Sequence, residues 1–411
     1  MNFKVLSLIL LTIIFLYNLT LNILHYRSSR NPIPENVKDI YDNETYSRWL
    51  SYHGEKSRMS IISAVVSCVV NLAILGFDFY AWVVGDVTNV YLQTIVVLAV
   101  FNVVDLVASV VFTYIDTMII DEKYGFNKTT IKTFCIDRLK EFVIAGVLMI
   151  GLMCLFVWIH RSLGDWILVL FSGILMAILL LVMVLYPKLS KVFNKFTPLE
   201  EGELRDKLTA LLNKYGYTIK EIQVMNASER TTKSNAYFSG AGKTKTIVLY
   251  DNLVEAMTTE EICAVFAHEM GHGLHKDTVK NSLKSFLMVI VMVLLAWLTV
   301  RYPEIYADFG FAGVNYGFAL ILLTVVELAF VSPLLGLWTN ASTRKAEYRA
   351  DAQAVKDGYG EALISGLKKL SRDNFAHLAP DKLLVALEYS HPTLSQRIEA
   401  IEKLMVEEAQ V

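Results

Sequence analysis

Seven stretches of this chain run for about twenty residues with almost nothing but apolar side chains, and about twenty is what a helix needs to cross the hydrocarbon core of a bilayer. They fall at residues 3–24, 59–84, 92–115, 142–160, 166–187, 283–300 and 313–338. With 54% hydrophobic and 19% charged side chains over 411 residues, the chain must hide its apolar surface in lipid or in an outsized core. Soluble domains carry roughly 25% charge. The first stretch is too long for the apolar core of a secretory signal, has only Lys4 ahead of it and lacks a small-x-small cleavage site, so it reads as a retained span.

The charges between the stretches set an expected orientation. Loop 25–58 carries Arg27, Arg30, Lys38, Arg48, Lys56 and Arg58, and loop 116–141 carries Lys123, Lys128, Lys132, Arg138 and Lys140. The alternate loops are nearly bare: nothing basic in 85–91, Arg161 in 161–165 and Arg301 in 301–312. Basic loops stay in the cytoplasm. Alternation then puts residues 188–282 and 339–411 on the cytoplasmic side and the N-terminus outside. The expected organisation is five spans in 1–187, a cytoplasmic part in 188–282, two more spans in 283–338 and a second cytoplasmic part in 339–411. The fold class is mainly α, a seven-helix membrane bundle with a cytoplasmic domain.

Asp78, Asn102, Asp105 and Glu327 interrupt the apolar stretches. A carboxyl at mid-membrane costs roughly 2.5–3.5 kcal/mol on insertion scales, so such groups either bond to a neighbouring helix or face a wet interior. The four cysteines, Cys68, Cys135, Cys154 and Cys263, are too scattered for a disulfide framework or a cysteine-based zinc site. Three lie in or beside apolar stretches and read as buried free thiols. A net charge of −2 gives no sign of a nucleic-acid surface.

Against this background stands "AVFAHEMGHGLHKDT" at 264–278. Thr258-Thr-Glu-Glu261 has the form of a capping box, so a helix starts there. On it His268 and His272, four apart, project from one face, as two ligands of a tetrahedral zinc must. Glu269 is turned about 100° away and suits a general base for water rather than a ligand. A catalytic zinc needs a third protein ligand and one open position. His275, one turn on, is one candidate. Glu347 in "STRKAEYRADAQAV" at 342–355 is the better one, with Asp351 four residues later to fix the ring tautomer of a ligand histidine. The bland alternative is a charged helix face paired with Arg344, Lys345 and Arg349. Around "SNAYFSGAGKTKTIVLYDN" at 234–252, alternation on both sides of a Gly-Ala-Gly reads as two strands and a turn. Its exposed edge could hold an extended peptide or be merely structural. His391, just before Pro392, belongs at a turn or helix start.

His268-Glu-Met-Gly-His272, Glu347-Tyr-Arg-Ala-Asp351 and His391-Pro-Thr-Leu-Ser-Gln-Arg397, in that order, resemble the type 1 CAAX prenyl protease family of integral-membrane gluzincin metalloproteases. "NAYFSG" at 235–240, "PIPENV" at 32–37 and "DEKYGFNKTT" at 121–130 extend the resemblance along nearly the whole chain. Heat-shock membrane proteases of the HtpX type share the zinc motif but are shorter, with fewer spans. The resemblance implies one Zn2+ per chain held by His268, His272 and Glu347, with Glu269 as base and Asp351 behind a ligand. It implies that His391 and Arg397 engage the substrate backbone and transition state. Asn235, with Ala236 and Tyr237, matches the strand that holds the peptide. It also implies a hollow chamber within the seven helices, with the zinc at its cytoplasmic end. The expected activity is zinc-dependent hydrolysis of membrane-associated or C-terminally prenylated protein tails. The expected partners are such a peptide or protein substrate and the lipid bilayer, without nucleic acid. A eukaryotic source implies the ER membrane and a prokaryotic one the plasma membrane. Membrane-protein quality control is the rival within enzymes. A zinc-binding transporter or receptor with a dead protease motif is the rival outside them, and it predicts a missing base where Glu269 is present.

Overall fold

The structure, a computed structural model, describes residues 2–127, 129–229, 236–239 and 244–410. In lipid a backbone must satisfy its own hydrogen bonds, which is why apolar stretches of this length become helices. In chain order the helices are α1 (Phe3–Ser28), α2 (Asn43–Gly76), α3 (Phe79–Val84), α4 (Val90–Tyr114), α5 (Ile131–Leu163), α6 (Ile167–Phe193), α7 (Glu203–Lys214), α8 (Asp251–Ala256), α9 (Thr259–Leu274), α10 (Asp277–Arg301), α11 (Glu304–Ala307), α12 (Tyr316–Ile321), α13 (Leu328–Lys356), α14 (Gly360–Asp373), α15 (Lys382–Glu388) and α16 (Leu394–Glu408). The strands are β1 (Phe196–Pro198), β2 (Thr218–Met225), β3 (Ala236–Ser239) and β4 (Thr244–Tyr250).

Among the described residues, six helical stretches are long and apolar enough to cross a membrane: Phe3–Ser28, Asn43–Gly76, Val90–Asp121, Ile131–Met183, Asp277–Arg301 and Tyr316–Lys356. The fourth is 53 residues long and takes in the stretch 142–160 and most of 166–187. Within it, α5 stops at Gly164, whose φ of +56° suits only a glycine, and α6 follows after a single 3-10 turn.

Several boundaries differ from the sequence reading, among them the starts of α5 at Ile131 and of α10 at Asp277. The stretch at 59–84 is not one helix: α2 begins at Asn43 and ends at Gly76, Asp78 adopts the left-handed region with φ of 56°, and α3 follows separately. Val90–Asp121 continues past residue 115 through a π-helical turn at Ile115–Asp121. The last stretch begins at Tyr316, capped by the Asn315 side chain, passes a second π-helical turn at Leu322–Glu327 and does not stop near Trp338. It runs on as α13 to Lys356 and carries Glu347 and Asp351.

The polar residues of the apolar stretches mostly find local partners. Lys4 Nζ lies 2.7 Å from Asp78, Asn102 Nδ2 donates to the Phe142 carbonyl at 3.2 Å, and Thr299 Oγ1 donates to Glu327 at 2.6 Å. Asp105 is exposed. All four cysteines are free, and the expectation of buried thiols near the apolar stretches fails: Cys135 is exposed, Cys68 and Cys154 are half-buried, and only Cys263, on the capped helix α9, is buried.

The chain divides into two compact units. The first, 1–27, 51–179 and 284–335, has helices and no strand among its described residues, and its core includes Leu98, Val157, Ile167, Tyr306 and Phe318. At the π-helical turn in this unit, Asp116 and Asp121 both meet Lys56, at 2.6 and 2.7 Å. Residues five apart share that face because a π turn holds more residues than an α turn.

The second unit, 28–50, 180–283 and 336–411, contains all four strands. The sheet has the order β1-β2-β4-β3, with β2 and β4 parallel and the outer pairs antiparallel. The antiparallel β3 and β4 confirm the two strands read from the alternation, while their turn lies outside the described residues. Helices α7, α9 and α14 supply the core against the sheet, with Leu208, Leu212, Ile247, Leu249, Phe266 and Ala267 buried. The loop at 32–37 belongs to this unit. Asn36 Nδ2 donates to the Ser395 carbonyl at 3.0 Å, so the loop is tied to the first turn of α16.

Candidate metal centre

Helix α9 starts as its sequence dictates. Thr258 Oγ1 accepts from the Glu261 amide at 3.3 Å, and Glu261 accepts from the Thr258 amide at 2.8 Å. The remaining carboxylate valence of Glu261 takes Ser365 and Lys369 of α14, both at 2.6 Å. Burial opposes this charge, yet the hydrogen bonds from Lys369, Ser365 and Thr258 outweigh it and hold the carboxyl down at about 2. The helix is thus pinned at its origin before it delivers any site residue.

Further along, α9 lies directly on α13. A Cβ on Gly271 would sit 2.7 Å from Ala350 Cα, so only glycine permits this approach. The contact places His268, His272 and Glu347 with one ligand atom each within 4.8 Å of one another. His268 Nε2 is 3.5 Å and His272 Nε2 3.3 Å from the two Glu347 oxygens. His275 ends the helix and is exposed, outside this group.

Each histidine keeps its other nitrogen occupied. His268 Nδ1 donates to Asp351 Oδ1 at 2.8 Å, and the Arg397 guanidinium grips the same carboxylate through Nε at 2.9 Å and Nη2 at 2.6 Å. His272 Nδ1 donates to Asp277 Oδ2 at 3.1 Å. Burial alone would lower the His272 pKa, but its bonds to Glu347 and Asp277 push it up to about 9. His268 is raised in the same way by Asp351 and Glu347. Glu347 is held well below the usual carboxylate range by the two histidines and by Arg397, against the opposing effect of burial. The site has the charge pattern of donors arranged around a cation.

A half-open cavity of about 370 Å3 opens onto these groups. Its polar lining includes Glu269, His391 and Arg397 beside the three donors, and its apolar lining is Leu253, Val265, Leu363, Leu367 and Leu370, with Ala236 of β3. Glu269 therefore shares the cavity without belonging to the donor group, as its position on the helix requires. The His391 side chain is 61% exposed, with Nε2 3.5 Å from Glu347 and Nδ1 2.9 Å from Ser390 Oγ. It sits two residues before Thr393, which caps α16 in a second capping box. Arg397, read from the sequence as facing substrate, is committed to Asp351 on one edge and approaches Glu347 at 3.6 Å with Nη1. Ala236 lines the cavity on the edge strand of the sheet, Tyr237 follows it in that strand, and Asn235 lies outside the described residues. The sequence reading missed Asp277, which no periodicity marks. It also missed the leucines of α14, legible only as an i, i+4, i+7 stripe.

The comparisons with known proteins agree along the whole chain. A family profile described as CAAX prenyl protease N-terminal, five membrane helices, matches residues 22–195, and that of peptidase family M48 matches residues 198–405. A probable CAAX prenyl protease 1 of Schizosaccharomyces pombe is 31% identical over 391 residues, 91% of this chain and 82% of that one. A CAAX prenyl protease 1 homolog of rice is 30% identical over 410 residues, 95% of each chain. The crystal structure of Ste24p from S. mikatae matches with a TM-score of 0.87 at 27% identity, covering 98% of this chain and 99% of that one. With its multiple apolar spans and its His-His-Glu cluster, the chain belongs to peptidase family M48, in the CAAX prenyl protease 1 group, and is a multi-pass membrane metallopeptidase.

Proposed function

We propose that this protein is a zinc endopeptidase that cuts prenylated CAAX-type tails at the cytoplasmic face of a membrane. The observation that carries the reading is the convergence of His268, His272 and Glu347 beside Glu269 in a leucine-lined cavity. The donor set suits one zinc per chain: two imidazoles with Nδ1 already committed, so that Nε2 is left for the ion, and one carboxylate. Zinc held there would supply Lewis acidity, lowering the pKa of a water and polarising the scissile carbonyl. Glu269 takes the proton of the attacking water and passes it to the departing amine. His391, exposed and with Nδ1 against Ser390, donates from Nε2 to the oxyanion. Arg397 keeps the Asp351 carboxylate ionised and aimed at His268. The β3 edge holds the peptide through main-chain hydrogen bonds, with Asn235, Ala236 and Tyr237 along it. Leu363, Leu367 and Leu370 receive the aliphatic positions of a CAAX tail.

The same proposal includes seven crossings, counting α5 and α6 separately, around a hollow interior. The resemblance to the CAAX prenyl protease family supports the hollow interior. The basic loops support a cytoplasmic position for residues 188–282 and 339–411, in the ER membrane of a eukaryote or the plasma membrane of a prokaryote. A cysteine placed at Gly358 should resist an impermeant thiol reagent in intact cells. Labelling there inverts the topology. The substrate reading is tested by comparing cleavage of a prenylated CAAX peptide, its unprenylated twin and an unfolded membrane protein. Preference for the first supports it, and preference for the third points to quality control instead.

A further inference from the structure

Asp351 serves His268, and the resemblance accounts for it. Nothing in that account explains how His272 is oriented. An imidazole that binds a metal through one nitrogen needs its other N–H tied down, or the ring turns and the wrong tautomer faces the ion. The group that meets His272 Nδ1 is Asp277 Oδ2, at 3.1 Å. Asp277 is only 5% exposed. Its second oxygen accepts from Arg349 Nη2 at 3.0 Å and from Lys280 Nζ at 3.2 Å.

The local backbone is shaped for this contact. Helix α9 ends at Leu274, Lys276 turns the chain with φ of 54°, and Asp277 opens α10. A lysine in the left-handed region is disfavoured, so the fold retains a strained turn that returns Asp277 toward His272. The cation that grips Asp277 comes from the third-ligand helix, because Arg349 stands two residues after Glu347 on α13.

We infer that Asp277 is the positioning residue for His272, holding the proton on Nδ1 and presenting Nε2 to the metal, and that Arg349 ties this carboxylate to the helix that carries Glu347. Each histidine then has its own carboxylate, and each carboxylate its own arginine: His268 with Asp351 and Arg397, His272 with Asp277 and Arg349. This rests on the metal reading above but makes a separate claim.

The test is competition between the full-length protein and a zinc chelator, together with the visible spectrum of the cobalt-substituted protein. Asp277→Ala should weaken zinc affinity about 10- to 100-fold and alter the cobalt spectrum. Asp277→Asn, which still accepts from Nδ1–H but lacks the charge, should recover part of the loss. Arg349→Met should weaken affinity by a smaller factor. A wild-type protein that takes up no zinc overturns the metal reading and this inference with it. A wild-type protein that binds zinc while the folded Asp277→Asn and Arg349→Met variants, and Asp277→Ala if it folds, match its affinity and spectrum overturns this inference alone.

Discussion

The apolar helices of the first unit and the metal centre of the second treat a polar side chain in opposite ways. Inside the apolar stretches polar contacts are sparse, with Asn102 on one carbonyl, Glu327 on one hydroxyl and Asp78 on one lysine, and only at a span end do Asp116 and Asp121 share Lys56. At the centre the carboxylates that hold the donors are shared. Asp351 takes His268 and both edges of Arg397, while Asp277 takes His272, Arg349 and Lys280. A lone bond is enough to keep a polar group out of lipid, where measured side-chain bonds average only about 0.6 kcal/mol. A metal site needs its donors fixed in direction, and one bond per group leaves them free to swing. Multiplicity of contacts marks where geometry matters.

The strongest challenge to that contrast is Glu269→Gln. If the centre works as proposed, turnover of a CAAX peptide should fall about 10²- to 10⁴-fold while metal analysis still finds zinc, because the base touches water and not the ion. A variant with near-normal turnover would sink the mechanism. Gly271→Ala comes next. Its methyl meets the Ala350 backbone, which cannot yield, so overpacking should cost up to about 3 kcal/mol and lower zinc content, read by thermal unfolding and metal analysis.

A smaller effect is expected at the helix origin. Glu261 is held at about 2, below its unfolded value of about 4.3, so the stability it contributes is complete above about 4.3 and drains away as pH falls toward 2. Lys369→Met should cost about 1.5 kcal/mol at neutral pH and flatten the decline of Tm between about pH 4.3 and 2. An unchanged acid slope would show that other carboxylates govern it. The smallest effect belongs to Gly146→Ala in the spans. There the added methyl meets only the movable end of the Asn102 side chain, at 2.6 Å, and should cost about 0.6 kcal/mol with zinc content untouched. A loss as large as that of Gly271→Ala would erase the contrast between the units.

Much of this was legible in the sequence where a repeat spacing coincides with chemistry. The capping box at Thr258, the paired histidines of α9 and the Glu347–Asp351 spacing all fall on helices, where four residues mean one face. The apolar stretches marked which segments are helical but not their ends. The polar start of α2 from Asn43 reads as loop, and the charges after Trp338 read as a stop although α13 continues. Charge reports what surrounds a helix, whereas its ends are set by caps and by residues such as Asp78 that turn the chain. Asp277 escaped notice because the turn at Lys276, not any periodicity, brings it to His272. The parallel pairing of β2 with β4 joins segments some twenty residues apart, and no local pattern announces it.

The bare contact at Gly271 has a mechanical consequence. Gly271 faces the Ala350 backbone and the Cβ atoms of Ala350 and Gln353, none of which a rotamer change can move, so the gap the helices enclose behaves like the jaw of a fixed-gauge caliper. Its width is a dimension of the polypeptide and not a choice of its side chains. Such a jaw does not collapse when emptied, so the ion should be removable and restorable without refolding the protein around it.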